Sequence, residues 1–279
     1  MLQSAMDFLH NFSLPIAHQF SLTRLPEHFP TLVGAFVFFQ LLEWTAPVFL
    51  RRLSPIHFGQ ANARTQLNWS IRVVSTVHAL VIIAMAVACM NSPELEKDKA
   101  FAFNERVGRM TAVACGFLWD LIDSIVHYTT IGFVIHGAAC LTVYSQAFRP
   151  FLGYYGCRFL LWELSTPFLN AHWFLDKTNK TGSTFQVVNG IVLLATFFFA
   201  RICYGSFMSY RFFQTLQEVR SELPTSVALA YAIGNISLQS LNWFWFYKMV
   251  HSLQKRFRPK TQSPTKDNGY PSADGRKME

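Results

Sequence analysis

The chain has 279 residues, of which 51% are hydrophobic, 16% aromatic and 14% charged. Soluble domains carry roughly 25% charged residues, and apolar runs of about 18 or more recur along this chain, so the class is an all-α polytopic membrane protein. The net charge of +8 does not argue for nucleic acid: much of the surplus lies after Lys248, where a basic stretch beside a final span acts as a cytosolic topology signal and contacts anionic lipid.

Residues 1–29 mix apolar side chains with His10, His18 and His28 and are interrupted by Pro15 and Pro26. The pattern predicts a short interfacial helix followed by a turn. It lacks the basic-then-apolar order of a cleaved signal peptide. A first span is expected over about 30–50, with Glu43 and Pro47 inside it, and a basic loop completes this unit at residue 63. Arg51, Arg52, Arg64 and Arg72 flank that loop. A second span over 69–90 carries Ser75, Thr76 and His78, with His78 read as a core histidine. The following loop, SPELEKDKAFAFNERVGR, mixes both charge signs and is expected to be solvated.

The stretch 110–148, MTAVACGFLWDLIDSIVHYTTIGFVIHGAACLTVYSQAF, is apolar yet carries Asp120, Asp123, His127 and His136. As one helix it would be about 58 Å long, against a hydrocarbon core of about 30 Å, so it must fold back. Thr129, Thr130 and Gly132 mark the turn as poor helix formers. In the resulting hairpin Asp123 and His136 stand at similar depth on opposite arms. Asp120, Asp123 and His127, spaced i, i+3, i+7, fall within about 60° of one another around the first arm. Ionisable groups in a span face a bundle interior or a polar cavity, so a buried polar site is expected between the two arms.

The segment 151–173, FLGYYGCRFLLWELSTPFLNAHW, is long enough to span but holds Arg158, Glu163, Pro167, Asn170 and His172. Pro167 is expected to break or kink the helix after Trp162, and Arg158 is placed to pair with Glu163 about one turn away. A sixth span over 186–210 buries Arg201, which is assigned as counter-charge to one of these acids. The seventh, over 226–250, carries Asn235, Gln239 and Asn242; the tail 259–279 is Pro/Gly/Ser-rich and expected to be disordered. Seven spans put the three basic segments on one side, giving a lumenal or external N-terminus and a cytosolic C-terminus. The five cysteines all lie in apolar segments without CxxC or Cys/His metal spacing, so neither disulfides, nor a metal, nor a cofactor is expected.

The strings WELSTPFLNAHWF (162–174) and VVNGIVLLATFFFARI (187–202) closely resemble the TLC-domain family, which includes ceramide synthases and translocating-chain-associated membrane proteins. The resemblance covers about 64–258 and implies a six-helix bundle around a lipid-accepting cavity, preceded by one extra span. In the ceramide synthases an aspartate-bearing helix and a His-His pair on the next helix line that cavity, and a histidine serves acyl transfer from acyl-CoA to a long-chain amine. Asp120 and Asp123 stand on the corresponding helix and His136 matches the first histidine, but Gly137 replaces the second.

The candidate catalytic residues are therefore His136, Asp120 and Asp123. The candidates for contact with a lipid headgroup are Glu163, Ser165, Thr166, Asn170, Arg201 and His127. Two functional readings stand. One is a lipid-binding protein of membrane lipid homeostasis; the other is a ceramide-synthase-like acyltransferase with His136 as general base, which alone would engage acyl-CoA. Membrane lipids are the expected partners under both, and a homodimer is compatible with either. The resemblance implies the endoplasmic reticulum, in agreement with the RKME terminus, which loosely resembles a dilysine-type retrieval signal.

Overall fold

Apolar runs punctuated by Pro and Gly leave the backbone little option in lipid but to satisfy its hydrogen bonds within helices. The computed structural model describes residues 2–257, and among the described residues it contains helices and no strand. The tail expected to be disordered, 259–279, lies outside them, as does its retrieval-like terminus. An N-terminal helix α1 (Leu2–Phe20) is followed by α2 (Leu25–Leu53), a short α3 (Pro55–Gly59) and α4 (Ala63–Met90). A short α5 (Pro93–Lys97) leads to α6 (Glu105–Ala114), α7 (Phe117–Val126) and α8 (Ile131–Gln146). Then come α9 (Gly153–Phe159), a 3-10 turn (Leu160–Ser165), α10 (Thr166–Lys177), α11 (Thr184–Phe197), a π-helical segment (Phe198–Tyr204), α12 (Gly205–Glu218) and α13 (Thr225–Phe257).

Side-chain caps start several of these helices where the sequence offers an N-capping residue. Asn62 accepts from Thr65 N, Asn104 from Val107 N, and Ser183 from Gln186 N. Three helical stretches are each long and apolar enough to cross a membrane alone: α2, α4 and the continuous Thr184–Glu218. Of the remaining paths, α6–α7, α8 and α9–α10 are broken or shorter, whereas α13 is a continuous 33-residue helix.

Contacts between distant segments define two ends. At one end Arg24 N donates to Phe148 O (2.9 Å), Leu152 N to Ala100 O (2.7 Å) and the Tyr231 hydroxyl to Phe151 O (3.3 Å). At the other, Trp69 packs its ring against Phe58, Trp173 and Phe174 at 5.8, 5.9 and 5.1 Å. The chain 151–173 reaches from the first end to the second. It therefore runs through the bundle in two short helices joined by the 3-10 turn, which ends two residues before Pro167, because proline cannot supply the amide that an α-helix needs there.

Several expectations need correction. The N-terminal helix is a single 19-residue element that runs on through Pro15. The segment after α4 is not simply solvated: Leu95 and Val107 are fully buried, and Ala100 O caps the start of the next path. The first arm of the central hairpin is two helices, broken at Cys115–Gly116. A Cβ at Gly116 would lie 2.8 Å from Val113 O and 2.9 Å from the Phe39 ring, so the break keeps α2 close. The turn itself falls at 127–130, where the threonines placed it. Arg158 does not pair with Glu163. Its guanidinium turns the other way, to Glu96 at 2.5 Å and over the Tyr154 ring at 3.4 Å.

Candidate functional site

A cavity of about 360 Å³ lies among α2, α4, α7, α8, α10, α11, the π segment and α13. Most of its wall is apolar, from residues such as Phe39, Phe117, Trp119, Phe197 and Trp245. A smaller set of polar side chains converges on it: Arg72, Ser75, His78, Asp120, His136, Glu163, Ser165, Thr166, Arg201 and Lys248. An apolar hollow with a few placed polar groups is the usual form of a small-molecule site.

The inner floor is built from the sequence around Pro167. The 3-10 turn aims Glu163, Ser165 and Thr166 at Arg201, which the π-helical segment carries inward. Arg201 Nη2 is 3.6 Å from Glu163 Oε1, and the Thr166 hydroxyl donates to Glu163 Oε2 at 2.6 Å. Arg201 Nε donates to Trp162 O (2.7 Å) and to the Ser165 hydroxyl (3.0 Å), and Nη1 to Asn242 Oδ1 (3.3 Å). Gln239 Nε2 in turn donates to Arg201 O at 3.1 Å, a carbonyl within the irregular helix. A buried ion pair is tolerable when its lone pairs and protons are satisfied in this way. Below this floor, on the far side of Phe117, His136, Glu163 and Arg201, a second chamber of about 40 Å³ is walled by aromatic rings including Tyr144, Tyr155, Phe159 and Phe212.

The structure brings together some of the residues expected from sequence and separates others. Glu163, Ser165, Thr166 and Arg201 form one network, with Arg201 paired to Glu163. His136 and Asp120 line the same cavity, whereas Asp123 does not: it pairs with the exposed His127 at 2.8 Å, at the end of α7. The expected cluster is therefore split, with Asp120 on the cavity wall and Asp123 paired to His127 outside it. His136 packs its ring against Phe117 and Trp245, at 5.8 and 5.6 Å, with Cys140 Sγ 3.8 Å from its Nε2. Among the described residues no carboxylate stands within hydrogen-bonding distance of His136.

Gly137, where a second histidine was expected by resemblance, is a point of contact between helices. A Cβ there would lie 3.0 Å from Leu121 Cα and 3.1 Å from Leu121 Cβ. The substitution reflects the close approach of α7 to α8.

Asn170 does not line the cavity. It is buried and acts through Arg72, whose Nη1 donates to Asn170 Oδ1 at 2.9 Å. The Asn170 amide is held by Thr76 Oγ1 (3.0 Å) and Ser75 Oγ (3.2 Å). Arg72 also lies over the Trp173 ring at 4.5 Å. Sequence reasoning missed Arg72 and Lys248 as wall residues and took His78 for core. The available signal for Arg72 was its place within the expected second span, 69–90, where a cation needs a partner.

The TLC-domain family profile matches residues 68–251, which takes in every one of these wall residues except Phe39. The chain belongs to the TLC-domain family. A TLC domain-containing protein of Schizosaccharomyces pombe is 41% identical over 254 residues, covering 89% of this chain and 86% of that protein. Human TLC domain-containing protein 4 is 31% identical over 231 residues, 78% of this chain and 86% of its own length. Topoisomerase I damage affected protein 4 of Saccharomyces cerevisiae is 29% identical over 242 residues, 83% and 86% of the respective chains. This TLC domain starts on α4, so α1 and α2 precede it, and α2 still contributes Phe39 to the cavity wall.

Proposed function

We propose that this membrane protein of the TLC-domain family holds a membrane lipid in the cavity described above and serves membrane lipid homeostasis. One observation carries the reading: the roughly 360 Å³ hollow is largely apolar, lies among the spanning helices, and is closed on one side by the Glu163–Arg201 floor. The family supports residence in the endoplasmic reticulum. Arg51, Arg52, Arg64, Lys177 and Lys180 belong to the end of the bundle at which Trp69 meets Trp173, and together with the basic sequence that follows Lys248 they support a cytosolic assignment of that end under the positive-inside rule. Under that rule the chain makes seven crossings with its N-terminus lumenal, and the cavity is entered from the cytosolic leaflet. The N-terminal segment 1–29, the first span with its loop 30–63, and the TLC unit 64–258 then form successive parts of one membrane body.

Mass spectrometry of lipids that co-purify with the full chain tests this reading. The wild-type protein is expected to retain a discrete lipid that Leu169→Trp, which fills the cavity from its wall, no longer retains. The same bulk phospholipid in both samples would contradict it.

A second reading, acyl transfer from acyl-CoA to a long-chain amine, is favoured by one specific observation: His136 and Asp120 face the same cavity. It requires His136 to act without the second histidine, and with a carboxylate that is not bonded to it. Release of coenzyme A from an acyl-CoA in the presence of a long-chain amine, abolished by His136→Ala at unchanged folded yield, would support this reading. No release by the wild-type protein would remove it.

A further inference from the structure

Two cations on the cavity wall are not used by the floor. Arg201 is committed to Glu163, but among the described residues neither Arg72 nor Lys248 has an acidic partner. They come from helices of opposite direction. Arg72 stands nine residues after the start of α4 at Ala63, and Lys248 nine residues before the end of α13 at Phe257. Each thus stands near the same end of the bundle, and both line the one cavity.

Arg72 is also held in place. One of its donors is fixed by Asn170, itself pinned by Ser75 and Thr76, and its plane rests on Trp173. A guanidinium immobilised through one nitrogen still presents donors in a fork that matches the oxygens of a phosphate or carboxylate. Lys248 is exposed and lies over Phe244 at 4.8 Å, a mobile point charge at the rim. Leaving a cation without a counter-charge in a span is costly, which is the mark of a site completed by something else. Asp120, on the same wall, supplies an acceptor for a hydroxyl or ammonium donor. The volume is near the lower end of the about 300–1,000 Å³ spanned by small-molecule sites, which suits one hydrocarbon chain.

We infer that the ligand is a single-chain lipid with a phosphate headgroup, the phosphate bound between Arg72 and Lys248 and the chain lying along the aromatic wall. This rests on the lipid-binding reading above and specifies the ligand class of that same cavity.

The test is equilibrium binding to the purified full-length protein in detergent micelles. The probes are 1-oleoyl lysophosphatidate, oleate, the neutral 1-oleoylglycerol, and glycerol 3-phosphate, which has no chain. The wild-type protein is expected to bind lysophosphatidate at least tenfold more tightly than 1-oleoylglycerol, with oleate between them and glycerol 3-phosphate unable to compete. Arg72→Gln should remove most of that preference, read as the ratio of the two affinities within the one variant, and Arg72→Lys should restore part of it. Lys248→Gln, at an exposed position that does not endanger folding, should lower the preference by a few-fold. Equal affinity of the wild-type protein for the phosphate and neutral lipids would overturn the phosphate assignment and leave a lipid cavity standing. Full competition by glycerol 3-phosphate would overturn the single-chain lipid in favour of a water-soluble phosphate. Binding of none of the lipids would take down the underlying lipid reading as well.

Discussion

The two ends of the bundle solve the same problem differently. Each holds an arginine among its helices, Arg158 buried and Arg72 half-buried. At the closed end Arg158 pairs with Glu96 at 2.5 Å, donates to Tyr154 O at 2.9 Å and lies over the Tyr154 ring, with aromatic side chains filling the space behind it. At the hollow end Arg72 is held by an amide and an indole and faces empty volume. Between them the Glu163–Arg201 pair acts as a partition. Arg158 and Arg201 each have a carboxylate partner, whereas Arg72 has none among the described residues, and the proposed ligand phosphate would supply that charge.

Substitutions at four positions test this contrast. The largest effect is expected at the partition. Glu163→Ala leaves Arg201 buried without its counter-charge, which should cost about 3–5 kcal/mol and appear as a large loss of folded protein in detergent. Glu163→Gln should recover part of that loss, because its amide still accepts from Thr166. Next comes Gly137→His, which restores the family's second histidine. Its Cβ would meet Leu121 Cα at 3.0 Å, so it should push α7 from α8 at a cost of about 1–3 kcal/mol. A lower melting temperature with no gain of acyl transfer is expected, and a stable, acyl-transferring variant would show that the helices have room for the pair.

At the closed end Glu96→Ala should cost about 1–2 kcal/mol, since Arg158 keeps its carbonyl and ring partners; the readout is thermal stability, with lipid retention unchanged. The smallest effect belongs to Asp123→Asn. Its partner His127 is exposed, and such surface pairs contribute about 0.2–1 kcal/mol. Wild-type lipid retention in Asp123→Asn would place the hairpin acids on opposite sides of the contrast, with Asp120 in the cavity and Asp123 outside it.

Much of the helical framework was legible from residue order alone, because turns and breaks are local. Thr129 and Thr130 mark the hairpin turn, and Pro167 forces the 3-10 turn before it. That Arg201 would meet an acid followed from the cost of leaving a charge alone in a span, but residue spacing matched Glu163 to Arg158. What residue order could not supply was the choice among distant partners. Arg158 is five residues from Glu163 but bonds to Glu96, 62 residues away, because the 3-10 turn rotates Glu163 towards Arg201. Asn170 was expected at a headgroup, yet it reaches back 98 residues to fix Arg72. The break at Gly116 depends on Phe39 of α2, which no local pattern reveals. His78 and Arg72 enter the cavity wall only when the neighbouring helices pack against α4 and enclose the hollow.

Crosslinking with a photoactivatable, clickable fatty acid in native membranes, followed by peptide mapping, tests the contrast between the two ends most directly. The account predicts adducts on the peptides holding 116–120, 133–136 and 245–249, lost when Leu169→Trp fills the hollow end, while label on outward-facing residues such as Phe185 and Phe199 persists. Label confined to outward-facing residues, identical in the wild-type protein and Leu169→Trp, would contradict it.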